Sequence, residues 1–353
     1  MALLNQEKID KDVKDLLDYL EKSQWNFIPN FTSLLDVKVI TRDDLRKIEM
    51  KDDIGLNKTS GSTGEPVSVG KSYKDYIWYT ALSIREFKWL KWDIKKDMAV
   101  IKAGNQESET NGWGIPKSIE PIQGRRFTND LKPISELQRW LEEKNPHYIH
   151  CLPSVFKQID TSKISNFIDW KGTGEIGGKA YSSEECGIIA LTCPDNPSVY
   201  HVMENQIVEV DTNNALIITT TSNKYIKRYK HGDHIELGSC NCGRTLQTIK
   251  KIHGRVRNMM ILPNGDKKWP LIGSLEYESF GIKRFKMIQT KINELELSII
   301  CEPLSDKETD LIEVVNKWVG FPVNVIIKYV DSFPNYKFEE FVCNIDLKQK
   351  SQN

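Results

Sequence analysis

The sequence predicts a mixed α/β fold in which a large N-terminal domain of mixed sheets with flanking helices precedes a small C-terminal α+β domain. Three observations predict it. Stretches with helical spacing, residues 1–25 and 73–92, alternate with β-rich apolar runs bounded by turn residues at Met98–Gly104 and Ala215–Thr221. A β-β-α-β pattern occupies the end of the chain. The length of 353 residues fits one large domain plus one small one better than a single domain.

Taken in order, the N-terminal run MALLNQEKIDKDVKDLL reads as an amphipathic, charged helix and not as a signal peptide. The stretch Ile282–Cys301 reads as two strands joined around Ile292-Asn293-Glu294. The run SDKETDLIEVVNKWVG predicts a helix with Ser305 as N-cap and Gly320 at its close, and VNVIIKYV predicts the strand after it. The domain boundary is expected near His253-Gly254-Arg255, giving a large domain over 1–254 and a small one over 255–353.

Lysine plus arginine and aspartate plus glutamate balance at 49 each, so no basic field argues for nucleic acid. No stretch approaches the roughly 20 apolar residues of a membrane helix, and the expected location is the cytoplasm. The seven cysteines are odd in number and scattered, which favours metal binding or plain core thiols over disulfides. The expected partner is a small molecule.

The segment Thr59-Ser60-Gly61-Ser62-Thr63-Gly64-Glu65-Pro66 is small, hydroxylated and glycine-rich. Its glycines let backbone N–H groups turn toward an anion, and its hydroxyls add donors without bulk, so phosphate is a natural guest. A flexible Ser/Gly linker is the competing reading, and pattern alone leaves the two evenly matched. The loop is not a Walker loop, because no Gly-Lys-Ser/Thr ends it.

This loop resembles the phosphate signature of the adenylate-forming superfamily, which includes the acyl-CoA synthetases and firefly luciferase. Other motifs follow in that family's order. Tyr181-Ser182-Ser183-Glu184 resembles its aromatic-small-Ser/Thr-Glu element, which implies an adenine-side role for Tyr181 and magnesium binding by Glu184. Arg228-Tyr229-Lys230-His231-Gly232-Asp233 resembles the Arg-Tyr-x-Thr-Gly-Asp element, which implies that Asp233 accepts both ribose hydroxyls. Gly254-Arg255-Val256-Arg257-Asn258 resembles the interdomain hinge, and Asp331–Phe338 resembles the segment of the mobile catalytic lysine, here Lys337. The resemblance implies ATP as substrate, magnesium, and a C-terminal domain that moves as a lid.

Cys193 and His201 with Cys240-Asn241-Cys242 supply three thiolates and one imidazole, enough for a closed tetrahedral zinc. Spacing alone favours four unrelated residues. The set resembles the zinc site of the phenylacetate-CoA ligase branch, which includes relatives in capsule and antibiotic biosynthesis, and so implies a structural zinc at Cys193, His201, Cys240 and Cys242.

Three departures bear on function. Asn258 stands where the family has an aspartate, Tyr336 stands where a glycine precedes the lysine, and only five residues separate Gly172-Thr173-Gly174-Glu175 from Tyr181. Gly177-Gly178 therefore forms either a tight bypass or an open acyl pocket. The expected activity is ATP-dependent conversion of a carboxylic acid to an acyl-adenylate, then acyl transfer to a thiol of coenzyme A or a carrier protein. Transfer to an amine, or a degenerate nucleotide-binding protein without activity, are the alternatives, and a homodimer is left open.

Overall fold

Apolar side chains recur every three or four positions at Ile9, Val13, Leu17 and Leu20, and they form the buried face of α1 (Gln6–Ser23). The computed structural model describes residues 6–27, 34, 36–49, 55–58, 68–102, 104–172, 177–255, 260–268, 279–333 and 341–345. A short helix α2 (Arg42–Arg46) begins at a reciprocal cap between Thr41 and Asp44. Strands β1 (Gly55–Lys58) and β2 (Ser68–Lys71) pair antiparallel, with Lys58 opposite Ser68. Helix α3 (Tyr73–Trp89) opens on a second capping box, in which Ser72 and Asp75 satisfy each other's backbone N–H. Ser222 and Asn223 also donate to the Asp75 carboxylate, at 2.9 and 3.1 Å, so this helix start is tied to a distant turn.

Strands β3 (Met98–Ile101), β4 (Ser108–Asn111) and β5 (Arg125–Asn129), helix α4 (Ile134–Lys144), strand β6 (Tyr148–Cys151), the single turn α5 (Pro153–Phe156) and β7 (Asp169–Gly172) follow. The five strands form one sheet in the order β4-β5-β3-β6-β7, parallel except for β4. Side chains alternate between its faces. Ala99, Ile101, Phe127 and Ile149 pack with Leu137 and Leu141 of α4, while Met98 and Tyr148 pack with Leu82 and Phe87 of α3.

A second sheet of seven strands takes β8 (Ala180–Ser183), β9 (Gly187–Thr192), β10 (Tyr200–Val202), β11 (Gln206–Val210), β12 (Ala215–Thr220), β13 (Tyr229–Gly238) and β14 (Thr248–Arg255) in the order β11-β12-β13-β14-β10-β9-β8. Ile188, Leu191 and Met203 join the cluster that holds α1 and α3, so α3 is buried against both sheets. Two consecutive residues of α3 fix it there. Arg85 pairs with Glu204 at 2.7 Å, and Glu86 pairs with Lys171 of β7 at 2.5 Å, all four side chains buried. Glu204 also accepts from Ser23 at 2.5 Å, and Arg85 donates to the Leu20 carbonyl, which locks the end of α1 onto α3.

The chain divides into two compact units, Met1–His253 and Gly254–Asn353. In the smaller, β15 (Met260–Ile261) pairs with β16 (Lys267–Lys268), and β17 (Arg284–Lys291), β18 (Glu294–Ile300), α6 (Glu308–Val319), β19 (Asn324–Tyr329) and β20 (Phe341–Cys343) build a four-stranded sheet in the order β19-β18-β17-β20. Leu311, Val315 and Val319 of α6 pack on Phe285, Met287 and Leu297. Gly320 closes α6 in the left-handed region at φ 81°. Ser305 is not its N-cap. It begins a 3-10 turn over Ser305–Lys307 at a φ of 47°, and Lys307 occupies the cap position without a side-chain bond. Among the described residues no helix is long and apolar enough to cross a membrane.

Breaking one partner of a buried ion pair strands the other charge and costs about 3–5 kcal/mol, whereas replacing both by apolar residues costs far less. Arg85→Met is expected to show that loss in chemical denaturation, and Arg85→Met with Glu204→Leu to recover most of it.

Candidate functional site

The sheet of seven strands curls enough to bring its edge to its middle. Tyr181 lies on the edge strand β8 and Asp233 on β13, with β9, β10 and β14 between them in the sheet order. Even so, the Tyr181 hydroxyl donates to Asp233 Oδ2 at 2.6 Å. His231 Nδ1 lies 3.2 Å from the same oxygen, and its ring meets Tyr181 and Tyr229 edge-on. The Tyr181 bond thus orients the Asp233 carboxylate, with the His231 ring beside it. Gly232 sits between them at a φ of 95°, a backbone state that suits glycine.

The turn after β8 sorts two adjacent acids. Ser183 Oγ accepts the Cys186 N–H at 3.1 Å and closes the turn. Glu184 then points outward, with the Lys102 ammonium 4.0 Å away. Glu185 points inward, is buried, and has the Tyr229 hydroxyl at 3.5 Å and Arg42 at 4.0 Å. Lys71, at the end of β2, donates to the Glu185 carbonyl at 3.1 Å, and Asn223 donates to the Gly70 carbonyl at 2.9 Å. The base of the β1–β2 hairpin is therefore fastened to the Glu184 turn. Thr59, Ser60, Gly61, Ser62, Thr63 and Gly64, which connect those two strands, lie outside the described residues, as do Glu175, Asn258, Tyr336 and Lys337. Arg255 ends β14 and belongs to the smaller unit. Arg228 is a clamp, forked onto Glu209 at 3.0 and 3.1 Å with a third bond to the Val37 carbonyl. Gly178 approaches the Gly172 carbonyl so closely that a Cβ would stand 2.2 Å from that oxygen, so the glycine pair forms a tight crossing there.

A second cluster lies in the same unit. The ligand atoms of Cys193, His201, Cys240 and Cys242 all fall within 4.8 Å of one another. The Cys193 and Cys240 sulfurs are 3.8 Å apart, and His201 Nε2 is 3.2 Å from the Cys242 sulfur. A tetrahedral zinc with metal–sulfur bonds of about 2.3 Å requires sulfur–sulfur edges of about 3.8 Å, so the donor set fits that ion. Burial and then the Arg244 charge lower His201 to about 4, which keeps the imidazole in the neutral, ligating form. Burial pushes the Cys193 thiol up to about 11, while at Cys242 burial is outweighed by hydrogen bonds, those from Arg244 first, which lower the thiol, and a bound zinc would hold the sulfurs as thiolates. Arg244 braces the loop that carries Cys240 and Cys242. Its guanidinium lies 4.8 Å from the Trp25 ring and 5.2 Å from the Trp89 ring, bonds Gln24 at 2.9 Å, and pairs with Asp195.

Sequence reasoning missed Lys102, the pairing of Tyr181 with Asp233, and the Glu86–Lys171 pair. Lys102 carried a signal, since it directly follows a parallel strand, at the sheet end where open α/β folds bind ligands. The two pairings join residues 52 and 85 positions apart, and nothing local marks them.

No protein-family model matches the sequence, and no curated protein matches it. Solved structures do. A 2-hydroxyisobutyryl-CoA ligase in the postadenylation state, in complex with R3-HIB-AMP, is 15% identical, with 98% of this chain and 90% of that one covered and a TM-score of 0.69. An anthranilate CoA ligase in complex with anthranoyl-AMP is 14% identical over 80% and 63% of the two chains, with a TM-score of 0.54. The amide bond synthetase McbA from Marinactinospora thermotolerans is 12% identical over 79% and 65%, with a TM-score of 0.51.

Lysine cannot reproduce a guanidinium stacked between two indoles and forked onto two acceptors. Arg244→Lys is expected to cost about 2 kcal/mol in denaturation, with the loss appearing first as faster hydrogen exchange in the 240–246 loop.

Proposed function

We propose, from the premise that this chain has the fold of the adenylate-forming superfamily, that it is an ATP-dependent ligase that activates a carboxylic acid as an acyl-adenylate and passes the acyl group to a thiol. The observation that carries this reading is the meeting of Tyr181 and Asp233 at 2.6 Å, in a site whose Glu184 turn is fastened to the base of the β1–β2 hairpin.

In the first step a carboxylate oxygen attacks the α-phosphorus of ATP, the bond to the bridging oxygen breaks, and pyrophosphate leaves with that electron pair. Asp233, oriented by the Tyr181 hydroxyl, is the acceptor for the ribose hydroxyls. The Tyr181 ring lies beside the adenine, with Ser182 and Ser183 in the same strand. Thr59, Ser60, Gly61, Ser62, Thr63 and Gly64 receive the phosphates through backbone and hydroxyl donors. Glu184 supplies one hard oxygen for magnesium, whose charge offsets that of the phosphates. Lys102, 4.0 Å from Glu184, adds a cation at the same sheet end. In the second step a thiol sulfur attacks the acyl carbon and AMP departs. Coenzyme A is the acceptor we favour, with a carrier-protein thiol or an amine distinguished by assay.

We assign residues 1–254 the nucleotide and acid sites, and residues 255–353 the role of a lid with Arg255 at its hinge and Lys337 as the cation of the first step. The Cys193, His201, Cys240 and Cys242 cluster supports a closed structural zinc and, with it, the phenylacetate-CoA ligase branch.

The test is acid-dependent ATP–pyrophosphate exchange over a panel of aryl, hydroxy and amino acids. Glu184→Gln is expected to abolish exchange in a folded protein. Lys337→Ala is expected to reduce it about a hundredfold while transfer from supplied acyl-AMP stays within a fewfold of wild type. No exchange with any acid would leave a nucleotide-binding protein without this activity.

Protein purified without chelator is expected to contain one zinc per chain. The Cys240→Ser, Cys242→Ser variant should lose both the metal and thermal stability, because binding at such a site is coupled to folding. Unchanged metal content and Tm in that variant would remove the zinc assignment.

A further inference from the structure

Helix α3 carries two buried ion pairs side by side, and they differ in one respect. In the Arg85–Glu204 pair both carboxylate oxygens are used, Oε2 by Arg85 at 2.7 Å and Oε1 by Ser23 at 2.5 Å. In the Glu86–Lys171 pair, Glu86 Oε2 accepts from Lys171 at 2.5 Å, while Oε1 is buried and has no hydrogen-bond partner among the described residues. Glu86 is 3% exposed. A buried carboxylate oxygen without a donor costs about 1–3 kcal/mol.

The surroundings link this oxygen to the proposed acid site. Lys171 stands opposite His150 in the parallel register of β6 and β7, so both side chains leave the sheet on the face that α3 covers. Burial, followed by the charges of Lys171 and Lys102, holds the His150 imidazole well below its usual range, and it is neutral. Lys102 in turn lies 4.0 Å from Glu184. Glu86, Lys171 and His150 thus lie together near the C-terminal ends of β6 and β7, with the Phe87 ring 4.9 Å from the Lys171 ammonium, and Lys102 directly follows the neighbouring parallel strand β3.

We propose that the buried Glu86–Lys171 pair recognises a neutral hydrogen-bond donor, a hydroxyl or an aromatic amine, on the carbon skeleton of the acid that this chain activates. The donor is neutral because Lys171 already balances the Glu86 charge, and an added ammonium would enter a buried site without a counter-ion. The location of the acid rests on the ligase reading above. The donor requirement rests on the vacant oxygen alone. A site built around such an acceptor rejects the analogue that leaves it empty.

The experiment compares matched acids on the full-length protein: hydroxybenzoates and aminobenzoates against the corresponding methylbenzoates, short hydroxyalkanoates against their methyl isosteres, and aminomethylbenzoates as the ammonium arm. Two readouts are taken, acid-dependent pyrophosphate release and thermal stabilisation by each acid in the presence of ATP. The preferred donor-bearing acid is expected to exceed its methyl isostere by about a hundredfold in kcat/KM, with the ammonium acid no better than the isostere. Glu86→Met with Lys171→Met removes both charges at similar volume and is expected to stay folded and to bring the ratio to within about twofold. Pyrophosphate release that is equal for donor and isostere overturns the proposal and leaves the ligase reading standing. Donor-selective stabilisation without release does the reverse. Undiminished discrimination in the folded double variant, or no stabilisation by any donor-bearing acid, overturns the proposal.

Discussion

Helix α3 is held by two consecutive charged residues that point to different sheets, and the geometry of the larger unit depends on that arrangement. Arg85 reaches Glu204, between β10 and β11 of the sheet of seven strands, and Glu86 reaches Lys171 on β7 of the five-stranded sheet. Side chains along this helix also form the shared apolar cluster, so hydrophobic burial supplies the adhesion while the ion pairs fix rotation and register. A helix free to turn by one residue would carry a charge into Met98, Tyr148 and Leu191. The same rigidity is passed to the site, because the Ser72–Asp75 cap at the start of α3 is bonded to Ser222 and Asn223, and Asn223 is bonded in turn to β2.

Much of this was legible in the sequence, and the limit of legibility has a physical form. Helices with a single apolar face, such as α1 with Ile9, Val13, Leu17 and Leu20, announce themselves by period. So do the strands at Met98–Ile101 and Ala215–Thr220, where apolar runs end at turn residues. The start of α6 was misread because Ser305 is a strong local N-cap candidate, yet it takes a left-handed backbone and leads a 3-10 turn instead. A capping preference worth about 1 kcal/mol is within reach of the packing that seats Leu304 and Leu311 in the core.

The site divides along the same line. Tyr181, Asp233 and Glu184 belong to short contiguous patterns and could be picked out one motif at a time. That Tyr181 and Asp233 touch depends on the curl of a sheet with three strands between them, a property of all seven strands together. Cys193, His201, Cys240 and Cys242 were picked out through the resemblance, since their spacing alone does not separate a site from four unrelated residues, and in the structure their ligand atoms lie together. Glu86 and Lys171 were not, because charged residues in helices and strands are abundant and are ordinarily solvated, so burial is the only distinguishing mark.

The contrast between the two pairs on α3 bears on why a protein would retain buried charge at all. Apolar residues of equal volume can replace a buried ion pair with little loss of stability, so stability alone gives weak reason to keep either. At Arg85–Glu204 the reason is positional. The guanidinium spans Glu204 and the Leu20 carbonyl and joins three chain segments that no pair of methyl groups could orient. At Glu86–Lys171 only one carboxylate oxygen is committed among the described residues, and Lys171 stands near the C-terminal end of the parallel strand β7. Ends of parallel strands in open α/β sheets are where ligands are bound, because the loops there can diverge and leave backbone and side-chain polar groups unspent. A charge whose valence is incomplete in that position can serve as half of a recognition site while its other oxygen holds the helix.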